Sequence, residues 1–454
     1  MSKTHVSERG FARVMRPVNT LVERFIPSAL VFAIVLTFIV ALAALFMTGS
    51  GPVLIIQSWG DGLSGLLAFT TQMALILLLG HILANTGPVR KLLQRLAAVP
   101  KTARGAYVFV VVVSSIASLI TWGLGLVVGA LLAKEIAASF RAKGIPVHFP
   151  LLVASAFSGF VVWHMGYSGS GPLTAATPDS FIAKQLGTTI PITQTTFSPI
   201  NMIAALVTII AISLLVYFMA PRNTATIKEL QVNLAEDTGS KDTIETPADR
   251  VDASRILTLA LGLLLVAYLI IHFASGGTLT LDIVNWSFLA LILLLVKSPF
   301  ELIALTKGAA SNVGEILLQF PLYAGILGIM TGTGLIALFS DFFVSISNPV
   351  TFGVFALLSA GLVNFFVPSG GGQFAVQAPI MLDAANRLGV DPSIAIMAVA
   401  YGDQWTNMIQ PFWALPLLAI AGLKMRDILG YTVATMIVSG IVFAATLLIW
   451  GMIG

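Results

Sequence analysis

A chain of 454 residues with 57% hydrophobic residues, only 10% charged residues and a mean hydropathy of +0.95 is solvated mainly by lipid; soluble domains carry about 25% charge, so this length is spent on membrane spans. The net charge is +4, from 24 Lys and Arg against 20 Asp and Glu, with the basic residues in short loops, which excludes a nucleic-acid role. There is no cysteine, which excludes disulfides, thiolate metal sites and cysteine catalysis.

In chain order, residues 1–25 are basic and partly amphipathic, and are expected to lie along the inner lipid surface. The first apolar run, 26–47, is longer than a signal-peptide core and is followed by more spans, so it reads as a retained helix. Further full spans are predicted at 63–84, 149–165, 198–220, 255–273, 281–297, 313–331 and 428–450, each near the roughly 20 residues that cross hydrocarbon. Two pairs of shorter runs, 106–120 with 125–140 and 351–367 with 373–388, are interrupted by glycine. They predict re-entrant helical hairpins, because broken backbone at membrane depth survives only inside protein or beside a wet cavity. RKLLQRLAAVPKTAR (90–104) reads as a structural arm around the first hairpin, with a lipid sensor as the alternative. Residues 221–254 form a polar cytoplasmic linker, with a regulatory binding segment as the alternative.

Placing the N-terminus inside puts every Lys and Arg except Lys184 and Arg387 on the inside, as the positive-inside rule requires. The chain also repeats itself. LLLGHILANTG (77–87) resembles GILGIMTGTG (325–334), and each is followed by two breaks: TWGLG (121–125) and GYSGSGP (166–172), then PSGGG (368–372) and GDQWTNMIQP (402–411). The fold class is therefore an all-α polytopic membrane protein with two inverted-topology repeats, re-entrant hairpins and broken transmembrane helices, a pattern of secondary transporters. The repeats are 26–220, with hairpin about 106–140 and broken helix about 149–185, and 281–454, with hairpin about 351–388 and broken helix about 392–423. The linker and an extra span within 255–280 invert the second repeat relative to the first.

Helix ends leave N–H and C=O groups without partners, and a half-helix N-terminus suits an anion. The second half-helices are expected to start near Gly125, Pro172, Gly372 and Pro411. Candidate substrate residues are Trp122, Gly123 and Gly125 at the first tip and Tyr167, Ser168 and Ser170 at the first break. The second tip adds Ser369, Gly370, Gly371 and Gln373, and the second break Gln404, Trp405, Thr406 and Asn407. Each polar one has the plainer reading of a helix cap. Asp403 is the one acid in the four breaks, and with Asn407 and Ser369 it is a candidate for the coupling ion, H+ or Na+; a structural hydrogen bond is its plainer reading. His164 is either a packed side chain or a proton carrier, and Trp122, Trp163, Trp405 and Trp413 either wall a short acyl chain or fill the core. No Lys or Arg stands in any break, which favours a substrate of low charge. No cofactor is implied.

WGDGLSGLLAFTTQMALI (59–76), WGLGLVVGA (122–130), GYSGSGPLTAATP (166–178), VPSGGGQ (367–373) and YGDQWTNMIQPFWALPLLAIAGL (401–423) resemble the bacterial short-chain fatty acid transporter family over nearly the whole chain. The resemblance implies uptake of acetoacetate, butyrate or similar monocarboxylates across the bacterial inner membrane. It also implies a scaffold with a moving transport domain, and a homodimer. The competing readings are a membrane-embedded enzyme on acyl or lipid substrates, which needs a nucleophile–base pair or a metal cluster, and a passive anion channel, which needs no coupling residue.

Overall fold

The computed structural model describes residues 29–221, 227–230, 244, 246–310, 313–365, 367 and 369–453. The N-terminal segment 1–25, most of the linker 221–254 and Gly454 lie outside the described residues. Among the described residues every regular element is helical.

The first apolar run forms α1 (Ala29–Met47). α2 (Pro52–Gly62) begins on proline, whose missing N–H would be unpaired in a first turn anyway. The long α3 (Leu67–Asn85) follows, then α4 (Gly87–Ala97), which carries RKLLQR as an amphipathic arm packed on the first hairpin. That hairpin is α5 (Ala103–Ile120) and α6 (Trp122–Ala142), hinged at a single extended residue, Thr121. Its arms have 18 and 21 residues, so at about 1.5 Å per residue each is long enough to cross a bilayer, unlike the short arms the sequence led us to expect.

The next span is broken: α7 (Phe149–Ser158), a 3-10 stretch Gly159–Met165, a gap, and α8 (Ser170–Ala176). α9 (Phe181–Leu186) and α10 (Pro199–Met219) close the first half. After α11 (Pro247–Asp252), α12 (Arg255–Ala274) is the connecting span, and its apolar surface is almost wholly exposed. The second half runs through α13 (Leu281–Leu295), α14 (Pro299–Ala310), α15 (Gly314–Gly332) and α16 (Leu335–Ile346). Its hairpin is α17 (Phe352–Asn364) and α18 (Gly370–Leu388). Its broken span is α19 (Pro392–Thr406), a 3-10 turn Asn407–Ile409 and α20 (Pro411–Ala421). The chain then continues as α21 (Met425–Ile453). At α13, 15 residues replace the expected full span at 281–297.

Among the described residues, eight helical stretches are long and apolar enough to cross a membrane, counting α7 to α8 as one. Burial sorts them. The α7–α8 stretch is enclosed on all sides, as are the first turns of α18 and most of α19, whereas α1, α10 and α12 turn Leu, Ile, Val and Phe outward. The lipid-facing helices therefore ring a centre made of the two hairpins and the two broken helices. Lipid supplies no hydrophobic drive between helices, so close packing of small residues carries the association. At the seam between α2 and α15 a Cβ on Gly328 would lie 2.3 Å from the Ser58 carbonyl oxygen, so the two backbones touch.

The linker is anchored where α7 begins. The Lys228 N–H donates to His148 Nδ1 (3.0 Å), the Phe149 N–H donates to the Lys228 carbonyl (2.8 Å), and Arg141 donates to the Leu230 carbonyl (3.2 Å). With Nδ1 an acceptor, Nε2 carries the proton and faces the Tyr431 hydroxyl at 3.1 Å. Burial, with a smaller contribution from the Lys228 charge, pushes His148 down from 6.5 to about 4. A depressed histidine stabilises the docked linker fully above 6.5, and that stabilisation is lost as pH falls towards 4. A fluorophore on a cysteine introduced at position 227 should therefore lose anisotropy across that window. Flat anisotropy would mean that His148 does not hold the linker.

Candidate functional site

Three of the four chain breaks, with the start of α20 just beyond the fourth, meet at one cavity. It is lined by Trp122 from the first hairpin tip, Ser168 and Ser170 from the first break, Ser369, Gly370 and Gly371 from the second tip, and Trp413 of α20, just beyond the second break. Trp163 with Met73, Ile316 and Phe320 complete the wall. The cavity volume between them is about 40 Å³. The aromatic side is continuous: Trp122 meets Trp413 edge-on (5.2 Å), and Trp413 leans on Trp163 (6.1 Å) and Phe160 (5.5 Å).

The polar side has donors to spare. The second half-helix of the α17–α18 hairpin starts at Gly370, two residues before the expected Gly372, and that of the α5–α6 hairpin at Trp122, three before Gly125. Ser369 caps α18 by accepting from the Gly372 N–H (3.3 Å). Gly370 and Gly371, whose first-turn N–H groups have no intrahelical acceptor, line the cavity. A side chain could not stand at Gly370, where a Cβ would lie 2.4 Å from the Trp163 ring. Ser168 Oγ and Trp163 Nε1 are buried at this wall without a hydrogen-bond partner.

Behind the cavity lies a buried polar network. His164, enclosed completely, joins the two breaks: its backbone N–H donates to Gln404 Oε1 (2.9 Å), and its ring stacks on Trp163 at 4.2 Å. The Gly171 N–H, which can only donate, points at His164 Nε2 (3.0 Å). The proton of the neutral ring is therefore on Nδ1, given to Asp403 Oδ2 at 2.9 Å. Ser170 Oγ stands 2.9 Å from Nε2 on the cavity side. Asp403 is wholly buried, its second oxygen Oδ1 has no partner, and among the described residues His164 is its one ionisable contact.

Asn364, at the end of α17, fixes the second break. Its Nδ2 lies 2.7 Å from the Asp403 carbonyl oxygen, 2.9 Å from Thr406 Oγ1 and 2.6 Å from Asn407 Oδ1. Gln410 donates through Nε2 to the Asn364 carbonyl. Asn364 was not among the candidates from sequence, although one asparagine inside the apolar run LSAGLVNFF was a signal available to find it.

Other candidates stand elsewhere. Gly123 is buried beside α3. Gly125 lets the hairpin arms touch, since a Cβ there would lie 2.0 Å from Ser118 Oγ. Tyr167 donates to Ser287 Oγ (3.2 Å) and faces α13. Gln373 ties its hairpin arms together through the Ala360 carbonyl (2.8 Å). Trp405 donates to the Met436 carbonyl (2.6 Å) and fills the contact with α21. Thr406 donates to the Gly361 carbonyl (3.0 Å), which is its plainer structural reading. The three coupling-ion candidates do not form one cluster of contacts: Ser369 is at the cavity, Asn407 is bonded to Asn364 and Asp403 to His164. Among the described residues no group of three or more His, Asp or Glu side chains could hold a metal ion.

Asp403, His164 and Ser170 also have the spacing of a nucleophilic triad, the feature that the enzyme reading required. Here the Gly171 amide competes for the lone pair of Nε2 that would accept the serine proton. Comparison with known proteins decides between the readings. A protein of Escherichia coli (strain K12) named "Putative short-chain fatty acid transporter" is 41% identical over 435 residues, covering 95% of this chain and 98% of its own. One of the same name from Haemophilus influenzae is 39% identical over 443 residues, with the same coverage. Two solved structures share the fold at low identity. The YdaH transporter of Alcanivorax borkumensis, described as having an unusual topology, gives a TM-score of 0.58 at 15% identity over 93% of this chain and 98% of its own. MtrF of Neisseria gonorrhoeae, described with a class of antimetabolite efflux pumps, gives 0.51 at 14% over 96% and 97%. The protein is thus a multi-pass membrane transporter and not an enzyme. Residues 11–450 match the family described as "Short chain fatty acid transporter", and with two near-full-length relatives beside that match, the chain belongs to this family.

Proposed function

We propose that the protein is a secondary active transporter that carries short-chain monocarboxylates, acetoacetate, butyrate or similar acids, across the bacterial inner membrane by cation-coupled symport and alternating access. The observation that carries this reading is the cavity where three breaks and the start of α20 meet. One wall offers unpartnered donors, Ser168 Oγ, Trp163 Nε1 and the first turn of α18, and the other is aromatic. A carboxylate suits the donors, and two to six carbons of chain suit the tryptophans. No Lys or Arg lines the cavity, so a second carboxylate would be taken from water without a counter-charge. In competition against labelled acetoacetate in proteoliposomes, butyrate should displace the label, while succinate and citrate should fail. Displacement by succinate alone would reject the monocarboxylate assignment.

The charge asymmetry and the single connecting span α12 support a cytoplasmic N-terminus and linker with the C-terminus outside. Reporter fusions at 240 and 454 should then read opposite sides of the membrane, and the same side for both would sink the inverted-repeat layout. A homodimer is part of the same reading by family resemblance. Crosslinking of the reconstituted protein tests it, and a strictly monomeric product would remove it.

A further inference from the structure

Building on the transport reading above, we infer that the coupling ion is a proton held on His164, with Asp403 as its fixed counter-charge and Ser170 as its link to the cavity, and that one proton crosses with each monocarboxylate without net charge movement.

The geometry provides for both protonation states of the ring. When Nε2 is bare, the Gly171 N–H donates to it at 3.0 Å. When Nε2 carries a proton, Ser170 Oγ accepts it at 2.9 Å. The single in-plane lone pair of Nε2 cannot serve two donors well, so the pair of neighbours makes sense as one partner for each state. Nδ1–H faces Asp403 Oδ2 in both. A histidine with only a structural role needs one arrangement, not two.

Ser170 lines the cavity while His164 is fully enclosed, so the hydroxyl is the step between the cavity and the ring. A proton delivered to Ser170 Oγ passes to Nε2 as the hydroxyl gives up its own, and the Gly171 N–H loses its acceptor. Loading therefore changes a contact inside the first break, which is one route by which occupancy can bias its shape. Among the described residues Asp403 of α19 is the ionisable group in contact with the ring. The other elements against this stretch bring Ser114, Ser115 and Ser118 of α5, Trp122 of α6, apolar residues and Ser155 of α7, and Asn201 of α10. Tyr401 gives its hydroxyl to Asn201.

Charge counting then fixes the stoichiometry. With Asp403 ionised as the counter-charge, the empty site holds one negative charge. A bound monocarboxylate alone would make it two. One proton on His164 returns it to one, so loaded and empty forms cross the bilayer with the same site charge, and the cost of moving charge through lipid does not differ between them.

Proteoliposomes with labelled acetoacetate test this, with protein-free vesicles correcting for passive entry of the undissociated acid. Exchange with no gradient reports transport itself, and its absence in the parent protein for both acetoacetate and butyrate rejects the transport reading, and this assignment with it. Given exchange, accumulation should follow an acid-outside pH gradient. A valinomycin-imposed potential alone or a Na+ gradient alone should drive none, and accumulation under either overturns the proposal. Calorimetry in buffers of different ionisation enthalpy should find about one proton taken up per acetoacetate bound, and none in His164→Gln. An unchanged proton uptake in that variant also overturns it. Should His164→Gln fail to bind, the chain whose other histidines, at 5, 81, 148 and 272, are replaced by Gln decides: its one imidazole must show imidazolium signals in difference infrared spectra when acetoacetate is added, and their absence refutes the assignment.

Discussion

Asp403→Asn is expected to abolish gradient-driven accumulation while leaving a folded protein with reduced, measurable exchange. The amide keeps the shape of the carboxylate, and its oxygen can still accept from His164 Nδ1–H, now 2.9 Å from Asp403 Oδ2. What disappears is the charge. A buried imidazolium left without its counter-charge costs about 3–5 kcal/mol, and each 1.36 kcal/mol is about a tenfold change in occupancy, so loading should fall by at least about a hundredfold. Comparing counterflow with accumulation in the same vesicles separates coupling from binding. If the variant accumulates substrate as the parent does, Asp403 is only a structural hydrogen-bonder, and the coupling site must be sought at the hairpin tips.

Asn364→Leu should be worse, because it breaks the fold of the second break itself. Leucine nearly fills the same volume but donates nothing. The Asp403 carbonyl and Asn407 Oδ1 would both be left buried without the amide that now holds them at 2.7 and 2.6 Å. Thr406 keeps its own bond to the Gly361 carbonyl and suffers least. Two stranded acceptors at about 1–3 kcal/mol each amount to roughly 2–6 kcal/mol. The expected result is no detectable uptake and a clearly lowered thermal midpoint in detergent. A midpoint and an uptake rate like those of the parent would show that water or another donor takes the place of Asn364.

The breaks were legible in the sequence because glycine and uncharged polar residues at membrane depth are expensive and must be explained. GYSGSGP, PSGGGQ and GDQWTNMIQP stood out for that reason, and the structure brings residues of the first two, with Trp413 just beyond the third, to one cavity. Which face each residue takes was not legible. In a helix enclosed on all sides, such as α19, almost every position is buried, so periodicity gives no orientation. Asp403 and Trp405 are two residues apart, yet one meets His164 and the other packs on α21. The same blindness placed Gly125 at a binding tip when it serves contact between hairpin arms. Asn364 was missed because it sits at the end of a run that otherwise reads as hydrocarbon, and its partners lie about forty residues away on another helix.

The bonds between His164 and the second break have a consequence for how the chain is made. Asp403 and Gln404 are separated from His164 by 239 and 240 residues. At about 5–20 residues per second of synthesis, His164 emerges roughly ten seconds to a minute before its partners exist. During that interval the first half has to shelter a histidine ring and an unpaired backbone amide in or beside the bilayer. The first broken helix can therefore complete its buried bonds only after residue 404 has left the ribosome.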